Sequence, residues 1–295
     1  MSKNKINKNG LTVSLVFAAE SANYGEGFGN LSVLKKMTRG DSKQYSYISR
    51  QALRYNMVQQ MGWDSTPVDS KSGVVQFAPE ATIKDYPELD LFGYFKTTSK
   101  ESETEKGGAS SRSAVARLSN AVALEPFKGD MDFLTNIGLA SRKNLENAIA
   151  QSEINAAYYA YTITIDLDRV GIDGEIKLDN KEKADRVNKL LDTVQYLYRD
   201  IKGRRENLSP LFVVGGVYER KNPFFENRIK IKSNQLDVAL LSDVINGDEA
   251  IKINTLVGVI AALLDNTDQI KKELRAKSIA DTFKEIKREV ETYYE

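Results

Sequence analysis

Between Lys35 and Arg54 the chain gathers six cations, Lys35, Lys36, Arg39, Lys43, Arg50 and Arg54, against a single acid, Asp41. Within that run Ser49 has the side chain of a helix N-cap, an oxygen that accepts from an orphan amide at a helix start. Gln51 follows in the first turn. Cations, helix-start amides and short polar side chains in one place suit a polyanion gripped through its phosphates and sugars. Just upstream, Asn23-Tyr24-Gly25-Glu26-Gly27-Phe28-Gly29 reads as a loop. Its glycines permit positive φ and close approach of backbone to a partner. Asn23, Tyr24, Gly25 and Gly27 are expected beside the helix that Ser49 starts, as a phosphate-touching loop or as an ordinary strand-to-helix crossover. The spacing is not that of a dinucleotide fingerprint, no helix follows promptly and no P-loop is present, so a nucleotide-cofactor reading is set aside.

The other chemistry-bearing residues are carboxylates. The chain has no cysteine and no histidine, which removes disulfides, zinc fingers, thiol catalysis and histidine-based triads. A metal site built from carboxylates stays open. Strand geometry would place Asp166 and Asp168 on one face of a strand end, with Asp173 nearby. Asp130 or Asp132 would be the candidate carboxylate if the chain were a metal-dependent nuclease. Structural use of these acids is the simpler reading, so no catalytic residue, metal ligand or cofactor is assigned. Tyr158, Tyr159 and Tyr161 have the pattern of base-stacking aromatics on a sheet, or of core and edge packing.

These residues need elements to hold them. Leu11–Ala19, apolar and β-rich, reads as a central strand covered on both faces. Arg50–Met61 reads as a helix stopped by Gly62, with Leu53, Met57, Val58 and Met61 turned to a sheet. Trp63–Gly108, punctuated by Pro67, Pro79 and Pro87, reads as an insertion. It holds a short strand at Val74–Ala78 and a strand or buried anchor at Asp90–Lys96. Its polar tail, Thr97–Ser113, is expected to be disordered. Further strands are expected at Arg112–Leu124, Tyr159–Leu167, Arg228–Lys232 and Leu211–Tyr218, the last with a bulge or close approach at Gly215-Gly216. Asn180–Lys202 reads as a long amphipathic helix; Gln235–Asn246, Asn254–Asp265 and Ser278–Tyr294 read as helices too. Glu125–Glu153 keeps no regular period. Its apolar Met131, Phe133 and Leu134, between Gly129 and Gly138, must pack on their own domain or bury in a partner. The order of elements fits α+β, a split β-α-β sheet with helices on one face.

At 295 residues, 41% of them hydrophobic, the chain can build one large domain or two ordinary ones. Its 42 basic and 41 acidic residues leave a formal charge of +1, so a polyanion site would be a basic groove on a neutral body. No apolar run is long enough to span a bilayer and no signal-type cleavage pattern follows the basic N-terminus, which points to the cytoplasm and to no membrane partner.

The stretch from Asn23 to Met57 resembles the backbone subunit of type I-B CRISPR Cascade complexes, the DevR-type branch of the Cas-seven superfamily. The resemblance rests on Asn23 and Gly25, on Arg39 and Gly40, and on Ile48, Ser49, Gln51, Leu53 and Arg54. It continues weakly through Asp90-Leu-Phe-Gly-Tyr, Arg112-Ser-Ala-Val-Ala-Arg-Leu-Ser-Asn-Ala and Tyr161-Thr-Ile-Thr-Ile-Asp-Leu. It departs at Ala52, Tyr55 and Met57, where relatives often carry polar or basic residues.

The resemblance implies a single hand-shaped domain over 1–295, with a ferredoxin-like (RNA-recognition-motif-like) palm, fingers at 63–108 and a thumb at 125–151. It implies a non-catalytic subunit that binds CRISPR guide RNA (crRNA) through Asn23, Gly25, Lys35, Lys36, Arg39, Ser49, Arg50, Gln51, Arg54 and Arg112. Met131, Phe133 and Leu134 would be the thumb's wedge against the guide–target duplex. The partners implied are the guide RNA, a target DNA strand, further copies in a head-to-tail filament and other Cascade subunits. A metal-dependent nuclease of the same superfamily is the alternative. A transcriptional regulator, suggested by the autoregulator name of the branch, lacks helix-turn-helix spacing.

Overall fold

The computed structural model describes residues 9–25, 27, 29–70, 73–97 and 108–295. Its main sheet has eight strands: β1 Gly10–Ala19, β2 Lys36–Thr38, β3 Gln44–Ile48, β4 Ala116–Leu118, β5 Ala121–Ala123, β6 Ala157–Asp166, β7 Phe212–Tyr218 and β8 Leu256–Val259. The order is β8-β7-β1-β6-β5-β3-β2, with β4 beside β5 on the same edge of β6, and every pairing is antiparallel. The near-continuous apolar run of β1 takes the place it calls for, buried between β6 and β7.

Three helices cover one face: α1 Arg50–Met61, α2 Asn180–Gln195 and α3 Ile279–Tyr294. Leu53, Met57, Val58 and Met61 of α1 join Val187, Leu190, Leu191 and Val194 of α2 and Phe283, Ile286 and Val290 of α3. They meet the odd-numbered residues of β1, Leu11, Val13, Leu15 and Phe17. Alternation along β1 turns Val16 to the opposite face, where it packs with Phe212, Val214, Val257, Leu241 and Ile270. Helices therefore lie on both faces, not on one. The second face is covered at the β7–β8 end, while Val122, Leu124, Ala160 and Thr162 line an open cleft further along.

Several expected elements change type. Arg112–Leu124 is three short strands, Ala109–Arg112, β4 and β5. The helix expected over Asn180–Lys202 stops at Gln195, and Tyr198–Ile201 instead pairs with Arg204–Asn207. Asn254–Asp265, expected as a helix, supplies β8, because the edge of β7 offers four residues of pairing. Gly215 and Gly216 form no bulge, since β7 keeps register with β1 throughout. They permit close approach: a Cβ on Gly216 would strike the Asn254 carbonyl.

The insertion is built from the hairpin Val68–Asp69/Gln76–Phe77, the helix Pro87–Phe92 and the pair Tyr94–Thr97/Ala109–Arg112. Its own small core is Ala81, Ile83 and Leu89. The disorder expected over Thr97–Ser113 falls largely on 98–107, outside the described residues. The segment without period, Glu125–Glu153, is a β-hairpin, Asp130–Thr135 against Ile149–Ile154. Its returning strand pairs in parallel with Leu31–Ser32 from the glycine loop. That loop is thus no crossover; it folds onto the root of the hairpin. No helix among the described residues is long and apolar enough to cross a membrane.

Candidate nucleic-acid interface

The site is assembled where β3 turns into α1. Ser49 has the extended backbone of an N-cap and its Oγ accepts from the amide of Ala52 at 3.3 Å. The same hydroxyl donates to Asn23 Oδ1 at 2.8 Å, which also takes the Ser49 amide at 3.2 Å. Asn120, from the turn between β4 and β5, accepts the Arg50 amide at 2.9 Å. Three of the helix-start amides, those of Ser49, Arg50 and Ala52, are thus satisfied within the chain. Side chains, more than backbone amides, remain for a ligand. At the other end Gly62 takes the left-handed conformation (φ 69°) that ends α1.

Arg50 and Gln51 are exposed and Arg54 is half-buried, its guanidinium 5.6 Å from the Phe92 ring centre. Arg39, in the β2–β3 turn, lies over the Tyr45 ring at 4.3 Å. Tyr45 donates its hydroxyl to Asp41 at 2.7 Å, and Asp41 also accepts the Lys43 amide. That hydrogen bond raises the tyrosine's pKa and lowers the aspartate's. The one acid of the cationic stretch is so committed to Tyr45 and its own turn. No ion pair among the described residues engages Arg39, Arg50 or Arg54. Lys35 is half-buried; its amide donates to the Asn23 carbonyl and its carbonyl accepts from Tyr47.

Two clefts flank the Ser119–Asn120 turn. One, on the open sheet face, is bordered by Arg39, Asn120, Val122, Ala160, Thr162 and Lys230. The other lies among Arg50, Gln51, Arg54, Phe92, Arg117 and Leu118. Asn120, Phe92 and Lys230 were not anticipated as site residues. Asn120 has a trace in the Arg-Leu-Ser-Asn motif; the others approach from distant segments and leave no local signal.

Two expected contact residues are engaged inside the chain. Arg112 is buried and its donors are used inside the chain. It bonds Asp90 at 2.6 Å and the Arg169 carbonyl at 2.9 Å, and it also reaches the Ile172 carbonyl. Arg186 closes on the other oxygen of Asp90 at 3.0 Å. This knot roots the insertion on α2 and on the turn that follows β6. Lys36 is paired with Glu153 of the hairpin at 2.9 Å and lies over Phe127 at 4.3 Å, so its charge is matched internally. Gly25 donates its amide to the Val33 carbonyl at 2.7 Å. A Cβ there would meet only ordinary contacts, so its backbone is tied to the loop rather than held open by necessity.

Met131, Phe133 and Leu134 do not pack on their own domain; they are 40%, 61% and 67% exposed. Asp130 and Asp132 are exposed on the same strand. Asp168 sits in a 3-10 turn beyond the end of β6 instead of sharing its face with Asp166. Asp166 accepts from Arg117 at 2.9 Å and Arg169 at 3.4 Å, Asp168 from Lys221, and Asp173 from the Tyr94 hydroxyl at 2.8 Å. Among the described residues no group of three or more Asp or Glu is placed to hold a metal. Tyr159 and Tyr161 belong to the core, where burial raises both hydroxyls' pKa, while Tyr158 donates to Asn234 at 2.9 Å.

The architecture is shared with known chains. One, from a structure described as a "CRISPR RNA-guided surveillance complex", is 14% identical with a TM-score of 0.55, over 88% of this chain and 92% of that one. A second, from a "CRISPR RNA-guided surveillance complex, pre-nicking", is 12% identical with a TM-score of 0.56, over 87% and 94%. At such identity the likeness shows the fold. No curated protein matches the chain. The family described as "CRISPR-associated negative auto-regulator DevR/Csa2" matches residues 11–238; the chain belongs to that family.

Proposed function

We propose that the protein is a non-catalytic CRISPR RNA-binding subunit. Copies polymerise head-to-tail along one guide RNA as the backbone of a type I-B Cascade surveillance complex and present the guide for pairing with target DNA. The observation that carries this reading is the row of cations Arg39, Arg50 and Arg54, none in an ion pair among the described residues, beside the Ser49–Asn120 corner of a chain whose net charge is only +1. Such a row holds phosphates without reading bases, and base pairing reads the sequence. Family membership and the fold of surveillance-complex chains support it.

In this reading the unit β1-α1-β4/β5-β6-α2-β7 is a ferredoxin-like palm. Its strands lie side by side as β7-β1-β6-β5, fourth, first, third, second, as such a palm requires. Trp63–Gly108 is the finger insertion and the exposed hairpin is the thumb, whose Met131, Phe133 and Leu134 wedge into nucleic acid or a neighbouring copy. A non-closing heterologous contact then generates a filament.

The test is binding of RNAs of equal length and scrambled sequence over a salt series. Affinities agree within a few-fold, and the logarithm of affinity falls steeply with the logarithm of salt concentration. Strong preference for one sequence counts against the reading. A nuclease is the second reading, favoured only by the exposure of Asp130 and Asp132. Cleavage of guide-bound target with magnesium, lost in Asp132→Asn, would establish it instead.

A further inference from the structure

The hairpin arm leaves the body of the molecule with little apolar contact. Every residue of Asp130–Thr135 is exposed, and so are Ile149 and Ala150 on the returning strand. Burial therefore does not set the angle at which the arm stands. That task falls to its root. At the innermost point Asn155 is buried and tied on three sides. Its amide donates to the Glu20 carbonyl at 2.8 Å and its Nδ2 to Ser46 Oγ at 2.9 Å, while its Oδ1 accepts the Lys128 amide at 3.1 Å. Asn155 is the fixed point of the arm.

Two residues further out, Glu153 makes the next ties. Its carboxylate accepts from Lys36 Nζ at 3.0 and 2.9 Å and from the Leu34 amide at 2.9 Å, and its carbonyl accepts from the Tyr24 hydroxyl at 3.1 Å. Beyond Glu153 the arm meets the glycine loop through Gln151 and Ser152, which pair with Leu31 and Ser32. The side chains of Lys36 and Glu153 are each 17% exposed, so the pair lies within reach of an external anion. Lys36 also begins β2, whose far end leads to Arg39, a cation with no ion pair among the described residues. An anion that takes Lys36 leaves the Glu153 carboxylate with the Leu34 amide and a negative neighbour, and like charges so close repel.

From this we infer that the Lys36–Glu153 pair is a clasp that an anionic strand opens. In the free chain it holds the arm to the glycine loop. Phosphates that settle along β2 and Arg39 draw Lys36 away, and the arm is released to turn about Asn155. Loading of the strand thereby unlocks the arm that carries Met131, Phe133 and Leu134. The inference rests on the RNA-binding reading and names a regulation of that site. Linkage makes it reciprocal: if the strand opens the clasp, a broken clasp binds the strand more tightly.

The chain has no cysteine, so spin labels go only where cysteines are introduced. Lys143→Cys near the tip of the arm and Lys189→Cys on α2, both exposed, report the distance from arm to body by double electron–electron resonance. A single-stranded RNA is the probe, and its affinity is read by fluorescence anisotropy on the same full chain. The free chain gives a narrow distance distribution, which broadens and shifts when RNA binds. Glu153→Gln gives the broad distribution without RNA, no longer responds to RNA and binds it roughly two- to fivefold more tightly. Lys36→Gln breaks the pair from the other side and gives the same broad distribution, which keeps the test open if Glu153→Gln folds poorly. A free chain that is already broad, a distribution that stays narrow with RNA bound, or variants that match the free chain overturn the clasp and leave the RNA-binding reading intact. Tighter RNA binding by Glu153→Gln with unmoved labels shows that its charge alone matters, and overturns the clasp as well. Failure of the full chain to bind RNA overturns the RNA-binding reading, and the trigger of the clasp with it.

Discussion

Two arginine clusters in this molecule are built from the same side chain and do opposite things. Arg112 and Arg186 close around Asp90, all three buried, with carbonyls taking the remaining donors. Arg39, Arg50 and Arg54 have no ion pair among the described residues, and two of them lie over rings instead. The difference is the neighbourhood that distant segments bring. Asp90 comes from the insertion and Arg186 from α2, whereas at the start of α1 no carboxylate among the described residues comes within ion-pair distance of Arg50 or Arg54. A buried charge must be matched where it sits; an unmatched cation at a surface waits for an external anion.

Breaking the buried cluster has the largest expected effect. Arg112→Ala strands Asp90 against Arg186 and should cost about 3–5 kcal/mol of folding stability, read by denaturant unfolding. A change below about 1 kcal/mol would mean the knot is no structural root. Reversing the exposed cluster, Arg50→Glu with Arg54→Glu, should lower RNA affinity by on the order of a hundredfold and flatten its salt dependence. Unfolding should shift by no more than about 1 kcal/mol. A collapse of stability in step with the lost affinity would erase the contrast between the clusters.

The hairpin sharpens the same contrast with apolar residues. Met131, Phe133 and Leu134 are exposed, so replacing them together by Ser should leave monomer stability within about 0.5 kcal/mol per site. Packed residues would cost about 2–5 kcal/mol each. Filaments on a guide should shorten while guide affinity holds, which electron microscopy beside a melting curve will read. A destabilised monomer with normal filaments would remove the thumb from the account.

The smallest effect concerns Glu88, which lies on the insertion helix beneath Arg54. Burial raises its carboxyl above the ordinary value of 4.5, against the Thr66 hydrogen bond and the field of Arg54, which lower it. A carboxyl raised in the folded state favours folding while protonated, and that contribution is lost as pH rises from 4.5 through the folded value. Glu88→Gln should therefore raise the melting temperature at pH 7 by a few degrees, with the gain vanishing near pH 4. A gain that persists in acid would place its cause elsewhere.

What the sequence by itself determined is what local chemistry controls. Ser49 and Gly62 bound α1 because a cap oxygen and a left-handed glycine act within one turn of the helix they end. The apolar run of β1 specified a central strand for a similar reason. Arg50, Gln51 and Arg54 were legible as one patch because helical spacing puts them together. The roles of Arg112 and Lys36 were not legible, since their partners Asp90 and Glu153 stand 22 and 117 residues away. Leu256–Val259 carries no decisive period of its own and becomes a strand because β7 offers an edge. Likewise Tyr198 leaves the helical pattern so that Arg199 can meet Glu206, both buried. Tertiary structure decided which charges are matched within the chain and which stay open to a partner, because only folding brings a distant carboxylate or ring to within bonding distance of a given cation.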